Sequence, residues 1–373
     1  MKKCKLLYLV SEDEYFISHK LSQAKSAQKH NFEVHISTHF TKYESIIRKF
    51  GFKTHRLELD RKSINPISNL IVILSLIKII IDVKPDIIKS FALKPILYAQ
   101  IISVFFKKIK YINCVVGLGY IFLAKNLIAR IIQRIYIFII RLTRSEKNSY
   151  FIFQNSDDLD FFIANNLCNE SKSKIIRGSG VNTKIFQKKN MKKKYDLILH
   201  SRIIKHKGIY ELVDALKILK RKRINIDILF LGSPDPKNKT SISEKIIKQW
   251  ESEKLLVWEK KVENVVPFLN QSRVAILPSY REGLPKSLIE AASCGLPIIT
   301  SNVPGCREIC IDNFNGYLVP CGEPAKISEA IVRLLKDKNT QKRFSINGLK
   351  LVKKHFSDNI ICEQFLKVYE LLL

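Results

Sequence analysis

Short apolar runs alternate with longer helical stretches along this chain, and the alternation occurs in both halves. Consecutive parallel strands need a long crossover, which is usually a helix, so this order predicts parallel sheets covered by helices. In the first half, the predicted strands are 5–10, 34–37, 87–89, 111–116, 150–154 and 174–177, and the predicted helices include 19–30, 67–83 and 121–144. In the second half, the predicted strands are 196–201, 226–231, 255–258, 274–278 and 297–300.

The length of 373 residues is sufficient for two domains with separate cores. A lysine-rich segment, 187–194, separates the two alternating series and is the predicted linker. The sequence therefore predicts an α/β protein with two Rossmann-like domains that face a cleft, covering 1–187 and 195–356. Ligands in such folds bind beyond the carboxyl ends of the strands.

Glu282 and Glu290 lie in the most informative segment of the chain, 278–295. Its residues predict the end of a strand, then a turn that includes Glu282, and then a helix bounded by Pro285 and Gly295. In this arrangement Glu282 precedes the helix, and Glu290 lies about one turn inside it.

The start of this predicted helix is suited to an anion. Backbone N–H groups at a helix N-terminus have no partners within the helix, and they favour a ligand such as phosphate. Carboxylates on both sides of that point suit hydroxyl groups on either side of a diphosphate, which is the layout of a nucleotide sugar. Lys286 and Glu290 are four residues apart and share a face. An ordinary helix with an ion pair is therefore the alternative interpretation.

The segment 274–320 resembles the donor half of the retaining glycosyltransferases of family 4, which have the GT-B fold. The matching residues are Pro278, Ser279, Glu282, Gly283, Pro285, Glu290, Ala291, Gly295, Leu296, Pro297, Gly305, Glu308, Asn315 and Gly316. A bacterial subgroup that builds surface polysaccharides is similar in further segments, which are 10–20, 91–95, 116–120, 178–182 and 202–208. The resemblance thus covers nearly the whole chain.

This resemblance implies a role for each half. In the GT-B fold the N-terminal domain, here 1–187, binds the acceptor, and the C-terminal domain, here 195–356, binds the nucleotide-sugar donor. The last helix, here 357–373, returns to the N-terminal domain. The resemblance also implies that Arg202 and Lys207 bind the diphosphate of the donor. From the residues alone, two solvated cations in a lysine-rich chain are the alternative.

The other donor contacts are implied by the same resemblance. Glu282 contacts hydroxyls of the transferred sugar, and Glu290 binds the ribose. The backbone that contacts phosphate and sugar is formed by Gly283, Leu284, Pro285 and Lys286.

Two residues of the first half are weaker candidates for the acceptor side or the cleft. His19 is expected at the start of the first helix, where a cap or a packed side chain is the alternative. Lys94 precedes Pro95 and is expected to meet phosphate, with a solvated loop lysine as the alternative. Many relatives of the subgroup carry a histidine where Lys89 stands, so this chain departs from the family pattern there.

We expect no metal or cofactor, and the UDP-sugar acts as a co-substrate. Arg202 and Lys207 neutralise the departing diphosphate in place of a divalent cation. The acidic pair Asp158 and Asp160 follows a predicted strand and is interpreted as acids in the first turn of a helix. The spacing of the eight cysteines fits no zinc pattern, and reduced thiols favour a cytoplasmic protein.

The chain has 64 basic and 34 acidic residues, a net charge of +30. Such a charge invites nucleic acid, an anionic membrane or phosphorylated substrates, and a general compositional bias is the alternative explanation. Arg130, Arg134, Arg141 and Arg144 fall on one side of the predicted helix 121–144, which is otherwise apolar. This pattern suits an anionic lipid surface, although a helix packed on the sheet explains it equally well.

The leading hypothesis is a metal-independent, retaining glycosyltransferase that is peripheral on the cytoplasmic face of the inner membrane. It moves a hexose or N-acetylhexosamine from a UDP-sugar to an undecaprenyl-diphosphate-linked saccharide. The product feeds O-antigen, lipopolysaccharide, capsule or glycoprotein glycan assembly. One alternative is a nucleotide-sugar epimerase of the same fold, which needs acid and base residues beside the sugar. The other is a basic nucleic-acid-binding protein, for which the sequence has no recognised motif.

Overall fold

The structure is a computed structural model that describes residues 3–60, 63–119, 122, 126–144, 147–236, 238 and 240–373. The chain divides into two compact units. Unit 1 comprises Met1–Ser179 together with Asp358–Leu373, and unit 2 comprises Gly180–Ser357.

Unit 1 is built on a seven-stranded parallel sheet with the order β3-β2-β1-β4-β5-β6-β7. Its strands are β1 (Cys4–Glu12), β2 (Phe32–His39), β3 (Lys53–Arg56), β4 (Ile87–Phe91), β5 (Lys110–Val115), β6 (Ser149–Phe153) and β7 (Ser173–Ile175). Its helices are α1 (Asp13–His19), α2 (Leu21–Lys29), α3 (Glu44–Lys49), α4 (Pro66–Val83), α5 (Leu93–Ser103), α6 (Leu127–Thr143), α7 (Ser156–Ala164) and, from the end of the chain, α15 (Asp358–Leu372).

Successive side chains of β1 alternate between two hydrophobic cores, as expected for a strand covered on both faces. Tyr8 points into a core shared with α2 and α15, whereas Leu7 and Leu9 point into a core shared with α4 and α5. A third cluster joins α5 and α6 to β5 and β6. Helices α4, α5 and α6 therefore cover one face of the sheet, and α2 and α15 cover the other.

Unit 2 is built on a six-stranded parallel sheet with the order β10-β9-β8-β11-β12-β13. Its strands are β8 (Tyr195–His200), β9 (Ile228–Leu231), β10 (Val257–Glu259), β11 (Ser272–Leu277), β12 (Ile298–Ser301) and β13 (Gly316–Val319). Its helices are α8 (Ile209–Arg221), α9 (Glu244–Ser252), α10 (Val266–Asn270), α11 (Lys286–Ser293), α12 (Cys306–Ile309), α13 (Pro324–Lys336) and α14 (Lys338–His355). The predicted fold class, α/β with a parallel sheet in each half, is confirmed.

The sequence analysis missed two strands, and both lie at sheet edges. β3 has the polar sequence Lys-Thr-His-Arg, and β13 is a short strand that begins with Gly316. The polar, partly exposed sequence of β3 carries a weak apolar signal, whereas β13 is apolar and mostly buried, so its omission has no such reason. The predicted linker, 187–194, lies within unit 2 rather than between the two units. The Lys193 ammonium donates to the backbone carbonyls of Asn270 and Ser272 within unit 2.

Helix α6 begins at Leu127, where Asn126 caps it, and residues 121 and 123–125 of the predicted helix 121–144 lie outside the described part of the chain. The Asn126 side chain accepts a hydrogen bond from the backbone N–H of Ala129 at 2.8 Å. The predicted line of four arginines is wrong at its C-terminal end. Arg144 lies beyond α6 with an extended backbone, and Arg141 and Arg144 both donate to carbonyls of the loop that follows α7.

Lys89 is fully buried in the core between β4 and α15, although it carries an ammonium group. Its Nζ donates to Tyr369 Oη at 2.7 Å and to Gln23 Oε1 at 3.0 Å, and it lies 3.3 Å from the centre of the Phe365 ring. Both acceptors are neutral, so neither supplies a negative charge that would offset the cost of burying the ammonium. Burial lowers the pKa of Lys89 to about 7, and the nearby buried Lys20 adds to the effect.

This buried lysine predicts a pH-dependent stability. Between pH 7 and 9 the unfolded chain holds the Lys89 proton and the folded chain releases it, so stability rises with pH by up to about 1.4 kcal/mol per unit. Lys89→Met removes this slope, and Lys107→Met, at an exposed lysine of the same unit, retains it. Urea denaturation at several pH values, followed by circular dichroism, measures the difference. Parallel profiles for wild type and Lys89→Met would contradict the assignment.

Candidate functional site

The site is built where two neighbouring strands of unit 2, β8 and β11, end at the same edge of the sheet. A 3₁₀ turn, Lys205–Lys207, follows β8, and the segment 278–285 follows β11 and leads into α11. Lys207 Nζ lies 2.5 Å from Glu282 Oε1, and both side chains are less than one-fifth exposed. Two residues far apart in sequence thus form a largely buried ion pair at the carboxyl ends of the strands.

A close backbone approach fixes these two segments against each other. Gly208 has φ +70°, and a Cβ on it would lie 1.9 Å from the carbonyl oxygen of Pro278. Glycine is therefore required both for the left-handed backbone and for the contact. The backbone N–H of Tyr280 and the hydroxyl of Ser279 both donate to the carbonyl of His206 at 2.9 Å. The position of Glu282 thus follows from contacts made by its neighbours.

Gly305 supports the other side of the same segment. It has φ +76°, and a Cβ there would lie 2.6 Å from the carbonyl oxygen of Glu282 and 2.5 Å from that of Gly283. Any side chain at this position would clash with the backbone carbonyls of Glu282 and Gly283. The structure therefore requires a glycine at this position, independently of the family resemblance.

Helix α11 presents the second predicted carboxylate. Lys286 Nζ lies 3.4 Å from Glu290 Oε1, so the two residues share a face as predicted. The Glu290 side chain is 9% exposed. Burial raises the pKa of its carboxyl group, and the charge of Lys286 opposes this rise. Gly295, with φ +77°, follows the end of the helix and has the predicted role in its termination.

His200, the last residue of β8, is a site residue that the sequence analysis missed. Its Nδ1 is buried and lies 3.7 Å from Glu290 Oε2. Burial, with the charges of Lys286 and Lys207, lowers the pKa of His200 to about 4. The imidazole is therefore neutral at pH 7, and its contact with Glu290 is not an ion pair. The sequence signal that could have identified His200 is its position as a polar residue at the carboxyl end of a predicted strand.

Arg202 lies on the same loop as Lys207 but is paired differently from our expectation. We expected both cations to be directed at one anion, whereas Arg202 Nη1 lies 2.7 Å from Asp235 Oδ2. The Arg202 side chain is 55% exposed. Asp235 follows β9 and, like His200, was not predicted from the sequence. The basic loop after β8 thus contacts acids from two neighbouring loops.

The two weaker candidates lie in unit 1. His19 is the last residue of α1 rather than near its start, and its ring stacks on Tyr15 with the ring centres 4.5 Å apart. Lys94 lies in the first turn of α5 and donates to the backbone carbonyls of Asp60 and Ser63. Burial lowers the pKa of Lys94. Its ammonium therefore fixes the loop before α4 and is not that of a solvated lysine.

Asp158 has the structural position expected of a helix residue. Asn155 caps α7 by accepting from the backbone N–H of Asp158 at 2.8 Å, and the amide of Asn155 donates to the Asp158 carboxylate at 3.0 Å. Asp160 lies two residues after Asp158 and is not one of the first-turn acids, which are Asp157 and Asp158. This cap explains Asp158 without a ligand.

The site combines cations and carboxylates in a form that suits an anionic ligand with hydroxyl groups. Lys207, Lys286 and Arg202 are each held by a carboxylate, which keeps them in place at little entropic cost when a phosphate arrives. The first backbone N–H groups of α11 lie in the same loop and favour negative charge. Glu282 and Glu290 remain as acceptors for hydroxyl donors.

Two family descriptions match the chain over most of its length. Residues 181–351 match the glycosyl transferases group 1, and residues 5–155 match the glycosyl transferase 4-like family. The first range contains the whole cluster of ion pairs described above, and the second contains the sheet of unit 1 as far as β6.

Two curated relatives are bacterial proteins named as glycosyltransferases. The capsular polysaccharide biosynthesis glycosyltransferase CapM of Staphylococcus aureus is 30% identical over 57% of this chain and 58% of its own length. The N,N'-diacetylbacillosaminyl-diphospho-undecaprenol alpha-1,3-N-acetylgalactosaminyltransferase of Campylobacter jejuni is 26% identical over 93% of each chain. The chain thus spans a little over half of the first relative and nearly all of the second.

Solved structures share the fold over the whole chain. Anabaena HepE in complex with UDP superimposes with a TM-score of 0.78 at 13% identity, over 98% of this chain and 99% of that one. Sucrose-phosphate synthase from Thermosynechococcus elongatus superimposes with a TM-score of 0.80 at 16% identity, over 99% of each chain. At such identities the likeness concerns the fold.

The Lys207–Glu282 pair predicts strong coupling between these two residues. Lys207→Met leaves a largely buried carboxylate without its partner, which costs about 3–5 kcal/mol of stability. The double variant Lys207→Met/Glu282→Leu removes both charges and costs less than the sum of the single variants. Urea denaturation of the four proteins in this cycle measures the coupling. The exposed pair is the control, since Arg202→Met costs under about 1 kcal/mol. Additive effects at Lys207 and Glu282 would contradict the prediction.

Proposed function

We propose a donor and an acceptor for this chain on one premise: it belongs to the group 1 and 4-like glycosyltransferases, and it is a glycosyltransferase. The proposed donor is a UDP-sugar, and the transferred group is a hexose or an N-acetylhexosamine. The proposed acceptor is a saccharide linked through a diphosphate to undecaprenol.

The observation that carries the donor proposal is the Lys207–Glu282 pair beside the start of α11. The diphosphate of a donor takes the place of the carboxylate partner at Lys207, and the backbone N–H groups of α11 receive a second part of its charge. Glu282 then accepts hydrogen bonds from hydroxyls of the sugar, and Glu290 accepts from the ribose. Anabaena HepE, which has the same fold, was solved in complex with UDP, and this supports a uridine nucleotide as the donor.

The chemistry proposed for the site is electrostatic. The bond between the anomeric carbon and the diphosphate oxygen breaks, the acceptor hydroxyl forms the new bond to that carbon, and its proton is lost. Lys207 and Arg202 stabilise the negative charge that develops on the departing UDP. Retention of the anomeric configuration is proposed from the family resemblance.

The acceptor proposal rests on relatives. The Campylobacter jejuni relative is named for a diphospho-undecaprenol acceptor, and an Escherichia coli relative, 34% identical over 27% of this chain, is named as a UDP-Gal:alpha-D-GlcNAc-diphosphoundecaprenol alpha-1,3-galactosyltransferase. We place the product in O-antigen, capsule or related glycan assembly. The epimerase and nucleic-acid alternatives are not favoured, since the relatives are transferases.

A lipid-linked acceptor keeps its diphosphate at the bilayer surface, so we propose that the protein works on the cytoplasmic face of an anionic membrane. The net charge of +30 supports this location. Arg130 and Arg134 of α6 are exposed and supply local attraction.

A screen of UDP-sugars for transfer to a diphosphate-linked acceptor tests the proposal, and site variants make it specific. Lys207→Ala and Arg202→Ala each lower turnover on the order of 10²–10³-fold, as for loss of one electrostatic stabiliser. Glu282→Gln and Glu290→Gln keep the shape but each lose charge-assisted bonds worth about 1.5–3 kcal/mol. Glu329→Gln, an exposed acid on α13, is the control. Wild-type turnover in all four site variants would remove these residues from the site.

Metal independence is a separate prediction. Because Lys207 and Arg202 neutralise the leaving group, transfer persists in excess EDTA at the rate measured without it. The measurement is the initial rate of UDP release after removal of divalent ions. Complete loss in chelator, with recovery on adding Mg²⁺ or Mn²⁺, would overturn the prediction and direct attention to Asp158 and Asp160.

The arginines of α6 predict a salt-sensitive part of membrane binding. Arg130→Glu/Arg134→Glu replaces two attractive charges by repulsive ones, each worth about 1 kcal/mol near an anionic surface. Binding to anionic vesicles at low salt therefore falls on the order of 100-fold or more, while UDP binding is unchanged. Sedimentation with vesicles measures the change, and Arg221→Glu/Arg223→Glu in unit 2 is the matched control. Equal binding by the α6 variant would remove these arginines from the membrane surface.

A further inference from the structure

Helix α4 has an apolar face that no other part of the described chain covers. It is the one described helix long and apolar enough, by composition alone, to cross a membrane. Its outward side chains are more than half exposed, and they are Ile67, Leu70, Ile71, Leu74 and Ile81. At about 100° per residue these positions form one stripe roughly 100° wide.

The opposite face of α4 explains why the helix is not a membrane span. Val72, Leu76, Ile80 and Val83 are buried there, and they pack in the core with α5 and β1. Tyr98 of α5 also donates to the side chain of Asn69 at 2.7 Å. The helix is therefore fixed on the sheet by one apolar face and presents a second apolar face outward.

Helix α6 has the same two-sided character on the other side of α5. Ala129, Tyr136 and Ile140 are buried towards the sheet. Six outward apolar side chains are 47–73% exposed, and they are Leu127, Ile128, Ile131, Ile135, Phe138 and Leu142. Because α4 and α6 both cover one face of the same sheet, their outward stripes belong to one surface of unit 1.

Together the two stripes expose eleven large apolar side chains. Contiguous exposed apolar patches above a few hundred Å² mark interaction sites. The end of α5 adds to the surface, since Phe105 is 75% exposed. Each leucine or isoleucine left in water forgoes a favourable transfer into an apolar phase.

Charge identifies the partner. Asp82 is the one acidic residue in the two described helices α4 and α6. Lys78 is exposed within the α4 stripe, and Arg130 and Arg134 are exposed along one border of the α6 stripe. An apolar centre with a cationic border matches the acyl and phosphate layers of an anionic bilayer. A second copy of this chain would bring like charges together across a two-fold axis.

We propose that the outward face of α4 and α6 is a membrane-docking surface whose α4 side chains insert at the boundary between headgroups and acyl chains. This inference rests on the proposed function in one respect only, which is that a lipid-linked acceptor gives the surface a biological reason. Insertion of apolar side chains is insensitive to salt, whereas attraction of the arginines is screened. Docking therefore has two separable components, and α4 supplies the one that resists salt.

Vesicle sedimentation across a range of ionic strength tests the inference. Wild-type protein binds vesicles of phosphatidylglycerol and phosphatidylethanolamine. It retains part of this binding in about 1 M salt, where exposed charges more than about 3 Å apart are largely screened. Leu70→Gln/Ile71→Gln/Leu74→Gln, on exposed helix positions, lowers the salt-resistant binding on the order of 100-fold. The matched control changes three exposed isoleucines of unit 2, Ile185→Gln/Ile311→Gln/Ile346→Gln, and binds as the wild type.

The outcomes separate this inference from the proposed function. Equal salt-resistant binding by the α4 variant and the wild type would overturn the inference. Wild-type dimers that dissociate in the α4 variant, measured by analytical ultracentrifugation, would also overturn it by assigning the face to a second copy. UDP binding in the α4 variant, measured by calorimetry, stays at the wild-type value. If the wild type binds no UDP but α4 still governs vesicle binding, the proposed function fails and the docking surface stands.

Discussion

The candidate site depends on a close backbone contact, in which Gly208 packs against the carbonyl of Pro278. The contact joins the loops that follow β8 and β11, and neither loop could keep its path if a side chain stood at Gly208. Lys207 is thereby placed opposite Glu282, with less than one-fifth of either side chain exposed. An ion pair of this burial is costly to assemble from flexible loops, because both groups must be desolvated. The backbone contact provides the fixed geometry in which the attraction offsets that cost.

The ion pairs also give the site a defined charge state. Lys207, Lys286 and Arg202 each face a carboxylate, so they are positioned before any phosphate arrives. His200 differs from them because burial and two neighbouring cations keep it neutral. An anion that neutralises those cations removes part of the reason for the low pKa of His200, which couples ligand charge to the state of this ring.

Much of the fold and most residues of the candidate site could be predicted from the sequence, for physical reasons that differ between residues. Central strands such as β4 and β11 are buried on both faces, so their apolar runs are clear, whereas the edge strand β3 is polar and partly exposed and carries little signal. Glu282, Lys286 and Glu290 were predictable because turn and helix signals fix their local geometry. His200 and Asp235 were not, since their partners come from other strands and no local pattern reports a contact across a sheet.

The position of α15 has a consequence for the order in which the protein is made. The core around Lys89 needs Phe365 and Tyr369, which are synthesised only after all of unit 2. A ribosome therefore completes the second sheet while the first still lacks one of its covering helices. Until α15 packs on the sheet, the ammonium of Lys89 stays hydrated on that side, and the apolar side chains around it are exposed to solvent. The first unit to begin synthesis is thus the last to close, and its nascent form is a natural client for a chaperone that binds exposed apolar surface.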